Sequence, residues 1–440
     1  MTGMEIGLFS VLLILILIYS GMHVPVALGL VSFVSVWYLR DGLEAPVYLL
    51  TIAASSGLEN YIYGVIPLFV LMGLLVSRCE LGRDIYEVFN YLLRHVKGGL
   101  GVATVAANTA FASITGVSIA SASVFTRVSV PEMLRFGYKP RFAVGVVAGS
   151  SVLGMLIPPS VILIIYAIIT ELSVADMFKA AVIPGLILAV AYVIAIVSMA
   201  VFFPNYIGGQ DAKSQAFANS QKALSIAQIF TKVAPFVTLI VLVLGGIYGG
   251  LFTPTEAGAV GAMGALIISL IKRKLSRSVL WEVLSETGHI VASILLLIVA
   301  ATMYSRMLAI SGLPAELGAW IANADMSLAS ILTIYVIILI IMGTILDTTS
   351  IILIMVPLFL PAMAPYDINF IWFGIITVFG AEIGLLTPPL GISCYVIKTT
   401  LDDDSISLYD IFAGAFPFAI IILLVLILLI VFPEISLVLL

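Results

Sequence analysis

Long apolar runs separated by short polar stretches recur along the whole chain; residues 6–19, 182–203 and 420–432 are three of them. A bilayer core of about 30 Å takes roughly 20 mostly apolar helical residues per crossing. The pattern therefore predicts an all-α polytopic membrane protein of roughly ten spans by apolar length. Residues 6–19 read as the first span rather than a cleaved leader, since no basic segment or small-residue cleavage site accompanies them. The least apolar stretch is 204–232, which carries Asn205, Gln210, Asp211, Lys213, Gln215, Asn219, Gln221 and Lys222. It reads as a cytoplasmic linker between two halves, 1–203 and 233–440.

Composition agrees. Of 440 residues, 62% are hydrophobic and 10% charged, against about 25% charged in soluble domains. The net charge of −5 is spread thinly, and no basic patch points to nucleic acid. Cys79 and Cys394 have no pairing pattern, and His23, His95 and His289 lack metal-ligand spacing. No GxxxxGK[ST] loop for ATP occurs. The hydroxyl clusters have no His nearby to activate them, which weighs against a membrane-embedded enzyme.

The two halves share their helix breakers. Pro131 and Met133 return as Pro361 and Met363, and Gly154, Pro158 and Pro159 return as Gly384, Pro388 and Pro389, all 230 residues later. Pro25 and Gly29 match Pro254 and Gly258; Pro184 matches Pro417. Loop charge then sets orientation. Residues 135–141 hold Arg135, Lys139 and Arg141, whereas their mates at 364–371 hold no Lys or Arg and one Asp367. Arg78, Arg83, Arg94 and Lys97 likewise have no basic counterparts in 310–329. Basic loops stay in the cytoplasm, so equivalent loops fall on opposite faces, as in the inverted repeats of secondary transporters. Residues 83–97 read as an amphipathic interfacial helix.

Two segments resist a spanning reading. Residues 100–130 carry Ser113, Thr115, Ser118, Ser121 and Ser123 at their middle and begin and end beside cytoplasmic basic residues. Residues 329–360 carry Asp347, Thr348, Thr349 and Ser350 at theirs. Both are expected to be re-entrant helical hairpins. Two further segments are broken helices, at 154–159 and 384–389. Proline removes a donor and clashes with the preceding turn, and it pushes its predecessor out of helix. Unwound carbonyls are expected at 154–157 and 384–387, where they suit small cations, while half-helix N-termini suit anions. Asp347 is a functional candidate because a carboxylate at membrane depth is costly. Glu382 lines a cavity or pairs with a base; Arg127 and Arg306 snorkel or pair; Glu256, after Pro254, belongs to a helix first turn.

At these residues the sequence resembles the large permease subunit of TRAP (tripartite ATP-independent periplasmic) transporters. The likeness runs through Ser113 to Ser123, Pro131, Gly137, Tyr138 and Gly154 to Ser160, then Leu346, Asp347 and Gly384 to Pro389. The resemblance implies an elevator-type transporter of the bacterial inner membrane. It would be driven by sodium, with no other cofactor, and completed by a small four-helix membrane subunit and a periplasmic binding protein. Carboxylates such as C4-dicarboxylates, sialic acids or other sugar acids would be carried. Scaffold helices would occupy 5–97 and 233–309, and transport parts 98–185 and 329–417. One sodium site is expected from Ser113, Ser118, Gly154 and Ile157, another from Asp347, Thr348, Gly384 and Thr387. The substrate would lie between the tips, by Thr115, Gly116, Ser121, Thr349, Ser350, Pro158 and Pro388. The alternative is an ion-coupled carboxylate carrier that works alone.

Overall fold

Several helix starts in this chain are set by hydroxyl and carboxylate caps. Thr2, Ser173, Ser225, Thr253, Ser327, Asp347 and Ser407 each accept a backbone N–H from three residues on, satisfying a donor that has no partner inside the helix. Glu256 closes a capping box with Thr253, the first-turn role expected of it. In the computed structural model, residues 2–59, 61–208, 224–401 and 403–440 are described. They are helical nearly throughout.

The first half runs α1 (Gly3–Tyr19), α2 (Val24–Arg40), α3 (Glu44–Glu59), α4 (Val65–Arg78), α5 (Leu81–Leu93), α6 (Gly99–Thr115), α7 (Ser118–Arg135), α8 (Pro140–Ser151), α9 (Leu153–Leu156), α10 (Val161–Ile169), α11 (Val174–Phe202) and α12 (Pro204–Ile207). The second runs α13 (Ile226–Ile240), which continues through a π-helical turn into α14 (Gly246–Tyr248), then α15 (Pro254–Ile271), α16 (Arg277–Ser311), α17 (Leu313–Asn323), α18 (Leu328–Gly343), α19 (Thr348–Met363), α20 (Phe370–Gly384), α21 (Ile392–Thr400), α22 (Leu408–Val431) and α23 (Glu434–Leu437). The second half repeats the order of the first. Helices α2 and α15 correspond, as do α5 and α17, the hairpins α6–α7 and α18–α19, the broken pairs α8–α10 and α20–α21, and the long α11 and α22. The α3–α4 pair, divided by a 3-10 turn at Tyr61–Gly64, corresponds to the unbroken 35-residue α16.

The two copies are inverted. Arg78, at the end of α4, pairs with Glu282 at 3.4 Å and Glu286 at 3.3 Å, near the start of α16. The equivalent of the α4 end is Ser311, at the far end of the same α16, about 40 Å from those glutamates at 1.5 Å per residue. Around Arg78 gather Lys274 with Glu80, Lys232 with Asp84 and Glu87, and Lys272 with Asp84. This is the basic end, the one expected to face the cytoplasm. Burial of Asp84 raises its carboxyl, but the hydrogen bonds from Lys272 and Lys232 outweigh that and hold it below the ordinary value.

Among the described residues, seven helices are long and apolar enough to cross a bilayer, or eight with the bent pair Pro140–Leu156 and Val161–Ile169, which turns by 42°. The expected ten counted α1 and α2, which at 17 residues each fall a little short of a full crossing. Burial separates inner from outer helices. The α19 segment Thr348–Tyr366 is 61% buried, whereas Ile226–Tyr248 is 22% and α16 28% buried. Hairpins and broken helices thus sit inside, and α13 and α16 face lipid. Helix α5 buries Leu81, Ile85, Tyr86 and Val88 on one face, as an interfacial amphipathic helix does. The linker is narrower than 204–232, since α12 and α13 enter it from both sides; Gln210, Asp211, Lys213, Gln215, Asn219, Gln221 and Lys222 lie outside the described residues.

Candidate functional site

Each hairpin tip docks on a helix break of its own half. The first tip turns at Gly116, whose φ of +64° suits glycine. A Cβ there would stand 2.5 Å from the Pro159 carbonyl oxygen, and the Gly116 carbonyl accepts from Val161 N–H at 3.3 Å. Val117 lies so close to Gly154 that a Cβ on the latter would meet its carbonyl at 3.0 Å. Ile157 is extended (φ −95°, ψ 126°), so the helix unwinds where the prolines require it. Ser160 restarts α10: its Oγ donates to the Met155 carbonyl at 2.6 Å and caps Leu163 N–H.

The second tip docks in the same way. The Thr344 carbonyl accepts from Leu390 N–H at 3.1 Å and Gly391 N–H at 3.2 Å. Gly384 and Gly343 pack backbone to backbone, and a Cβ on Gly384 would lie 2.8 Å from the Ile340 carbonyl. The halves also interlock: α10 packs on α19, and α21 on α7. The N-termini of α7, α10, α19 and α21 thereby gather at the two breaks, and helix N-termini attract anions.

The expected ligands divide by what their side chains already do. Ser118 and Ser121 are fully buried, and their Oγ atoms have no hydrogen-bond partner among the described residues. Ser113 is half-buried and donates to the Ala110 carbonyl at 2.7 Å; Thr115 donates to Phe111 at 3.1 Å. Thr387 is half-buried and donates to the Ile383 carbonyl at 2.8 Å. Asp347 is the N-cap of α19: one oxygen accepts from Ser350 N–H at 3.2 Å, the other from the Ser350 hydroxyl. Thr348 is buried and donates 2.8 Å to Glu382 Oε1. Thr349 is half-buried. The breaks differ in cover, for Pro158 is buried while Pro388, Pro389 and Leu390 are exposed. Glu382 is fully buried with Oε2 unpartnered; a single acid inside an apolar run gave no sign of its partner 34 residues away. Arg127 and Arg306, expected to snorkel or pair, make no ion pair among the described residues.

A cavity of about 750 Å³ runs from the first tip to the basic end of the molecule. Gly73, Leu74, Thr115, Val117, Ala120 and Ser123 line its inner part, and Arg78, Glu80, Arg83, Arg127 and Glu286 its charged part. Unsatisfied buried hydroxyls beside unwound backbone suit a hard cation, which prefers oxygen ligands.

Comparison with known proteins places this geometry. Residues 11–435 match the family described as tripartite ATP-independent periplasmic transporter, DctM component. The C4-dicarboxylate TRAP transporter large permease protein DctM of Pseudomonas aeruginosa is 32% identical over 385 residues, covering 86% of each chain. The sialic acid TRAP transporter large permease protein SiaM of Vibrio cholerae is 28% identical, covering 96% of this chain and 95% of its own. Among solved structures, the Alcanivorax borkumensis YdaH transporter shares the fold with a TM-score of 0.62 at 13% identity, covering 90% of both chains.

Proposed function

This chain belongs to the tripartite ATP-independent periplasmic transporter family as its DctM component, a large permease and not an enzyme, set in the inner membrane by multiple spans, and on that premise we propose that it carries out sodium-coupled uptake of a carboxylate-bearing small molecule. The observation that carries the proposal is the pair of hairpin tips docked on two broken helices, with buried hydroxyls left unsatisfied beside them. One sodium ion would bind by Ser113, Ser118 and the backbone of Gly154 and Ile157. The other would bind by Asp347, Thr348 and the backbone of Gly384 and Thr387. The carboxylate would lie between the tips among Thr115, Gly116, Ser121, Thr349, Ser350, Pro158 and Pro388, facing the helix N-termini. Bound cations would order the tips and offset the substrate's charge, which is a physical source of coupling.

In this reading, residues 98–185 and 329–417 move as one body against a scaffold of 5–97 and 233–309. A periplasmic binding protein delivers the substrate, and a small four-helix membrane subunit completes the scaffold. The names of the relatives, which include C4-dicarboxylate and sialic acid permeases, support a carboxylate substrate. The test is uptake into proteoliposomes under an imposed sodium gradient, with a panel of C4-dicarboxylates and sugar acids. Uptake should need the gradient, the binding protein and the small subunit together. Saturable uptake by this chain alone would establish the stand-alone carrier instead, and uptake indifferent to sodium would end the coupling proposal.

A further inference from the structure

Among the described residues, Glu382 is the charged side chain that the fold buries completely. It stands on α20 two residues before Gly384, where α20 crosses α18 at Gly343. Thr348 donates to Oε1 at 2.8 Å, and Oε2 has no partner. Among the described residues no Lys, Arg or His pairs with it. The neighbouring hydroxyl on the same helix, Thr377, is occupied by the Phe373 carbonyl and by Tyr335. The phenol of Tyr192 on α11, also buried and unpartnered, lies near enough to interact electrostatically with the carboxylate. A buried carboxylate with one donor and no counter-charge is costly, so its place needs a reason.

The repeat sharpens the point. The residue equivalent to Glu382 is Val152, while Thr348 is equivalent to Ser118. Both halves place a hydroxyl at the first residue of the returning hairpin arm, and the second half alone places an acid against it. That hydroxyl donates to Oε1, yet a hydroxyl oxygen keeps lone pairs for a cation. Asp347, the other acid at this tip, accepts one hydrogen bond from Ser350 on each oxygen and keeps a lone pair on each.

We propose that Glu382 is the charged ligand of the cation site beneath the second hairpin tip, its free Oε2 and the Thr348 hydroxyl oxygen facing one sodium ion. The assignment rests on the sodium-coupled reading above and adds the residue that neutralises the ion. The first site, with Val152 in the equivalent place, would then hold its ion with uncharged oxygens only, so the two ions would not be equivalent.

Thermal unfolding of the purified protein against sodium chloride, with potassium chloride keeping ionic strength constant and no substrate present, tests this without any transport step. Sodium should raise the wild-type Tm saturably. Glu382→Gln should need at least tenfold more sodium for the same rise. In potassium alone it should melt at or above the wild type, because the amide keeps the shape and removes an uncompensated charge. Thr348→Val, which leaves the acid and strips its hydroxyl, should also raise the sodium requirement, and it carries the test should Glu382→Gln not accumulate. An unchanged sodium response in both variants overturns the assignment alone. A wild type indifferent to sodium overturns the sodium reading and the assignment with it.

Discussion

Gly116→Ala perturbs the first hairpin tip without touching a charge. Two costs follow from the structure. At φ +64° an L side chain costs about 1–2 kcal/mol. The added Cβ also lands 2.5 Å from the Pro159 carbonyl oxygen and 3.3 Å from Ser160 Cα. Both atoms are backbone of the break and give way only if the tip lifts, and overpacking of this kind costs about 1–3 kcal/mol. The sum, about 2–5 kcal/mol, falls on tip docking and leaves the spans intact. Gly250→Ala is the matched control: its φ is +69° but nothing lies within 4 Å, so only the backbone cost applies. Membrane abundance and sodium-driven uptake by the assembled transporter are measured for both. Gly116→Ala should reach the membrane as well as Gly250→Ala and lose uptake at least tenfold, since about 1.4 kcal/mol is a factor of ten. Gly250→Ala should stay within about twofold of wild type, as a cost confined to a distant loop leaves docking alone. Equal uptake by the two variants would refute the claim that docking on Pro159 matters for transport.

Asp347→Asn should raise the sodium concentration for half-maximal uptake a few-fold at normal abundance, and Ser118→Ala should do the same more mildly; an unchanged sodium titration would remove either residue as a ligand. Asp84 sits below the ordinary carboxylate range. Its pairing therefore stabilises above the unfolded value of about 3.9 and is lost as pH falls through the lower folded value. Asp84→Asn should cost about 1–3 kcal/mol at neutral pH and flatten the acid limb of Tm against pH; an acid limb identical to wild type would show that the cluster contributes nothing. Single cysteines in 135–141 and 364–370, placed in a protein lacking Cys79 and Cys394, should label from opposite membrane faces, and labelling from one face would contradict the inversion.

Breakers and caps are local, so they were legible. The matched prolines at 158–159 and 388–389 located both breaks, and the hydroxyl-rich middles of 100–130 and 329–360 located both tips. The capping role of Asp347 was open to the same reading, because an acid three residues before Ser350 is an N-cap signature; its position at membrane depth drew attention to charge instead. Glu382 was out of reach for a different reason. Its significance lies in Thr348 on another helix and in the Val152 that replaces it in the first half, and only the packed fold brings these together. The division of α3 from α4 shows the limit of the repeat as a guide. The 3-10 turn at Tyr61–Gly64 interrupts the first copy, while the equivalent stretch of α16, rich in leucine, runs on as helix.

Inverted copies give similar backbones with unequal side-chain fastenings, and the cavities at their two ends differ as well. The cavity at the basic end reaches Thr115 and Val117 at the first tip. A cavity of about 650 Å³ at the opposite end is lined by Pro314 of α17 and by Pro357 and Pro361 of α19. Pro357 is ten residues from Asp347, so that cavity stops about 15 Å short of the second tip. On the basic side, then, a cavity reaches the first tip. Arm helix α5 is tied to α13 and to the segment after α15 by Lys232 and Lys272 through Asp84. Its counterpart α17 has no basic residue and makes no ion pair among the described residues; it buries Leu313, Pro314 and Ile321 instead. Salt screens exposed charges and part-buried ones much less, so the exposed Lys274–Glu80 pair at the start of α5 is the contact ionic strength weakens, while the part-buried Asp84 cluster and the apolar packing of α17 persist.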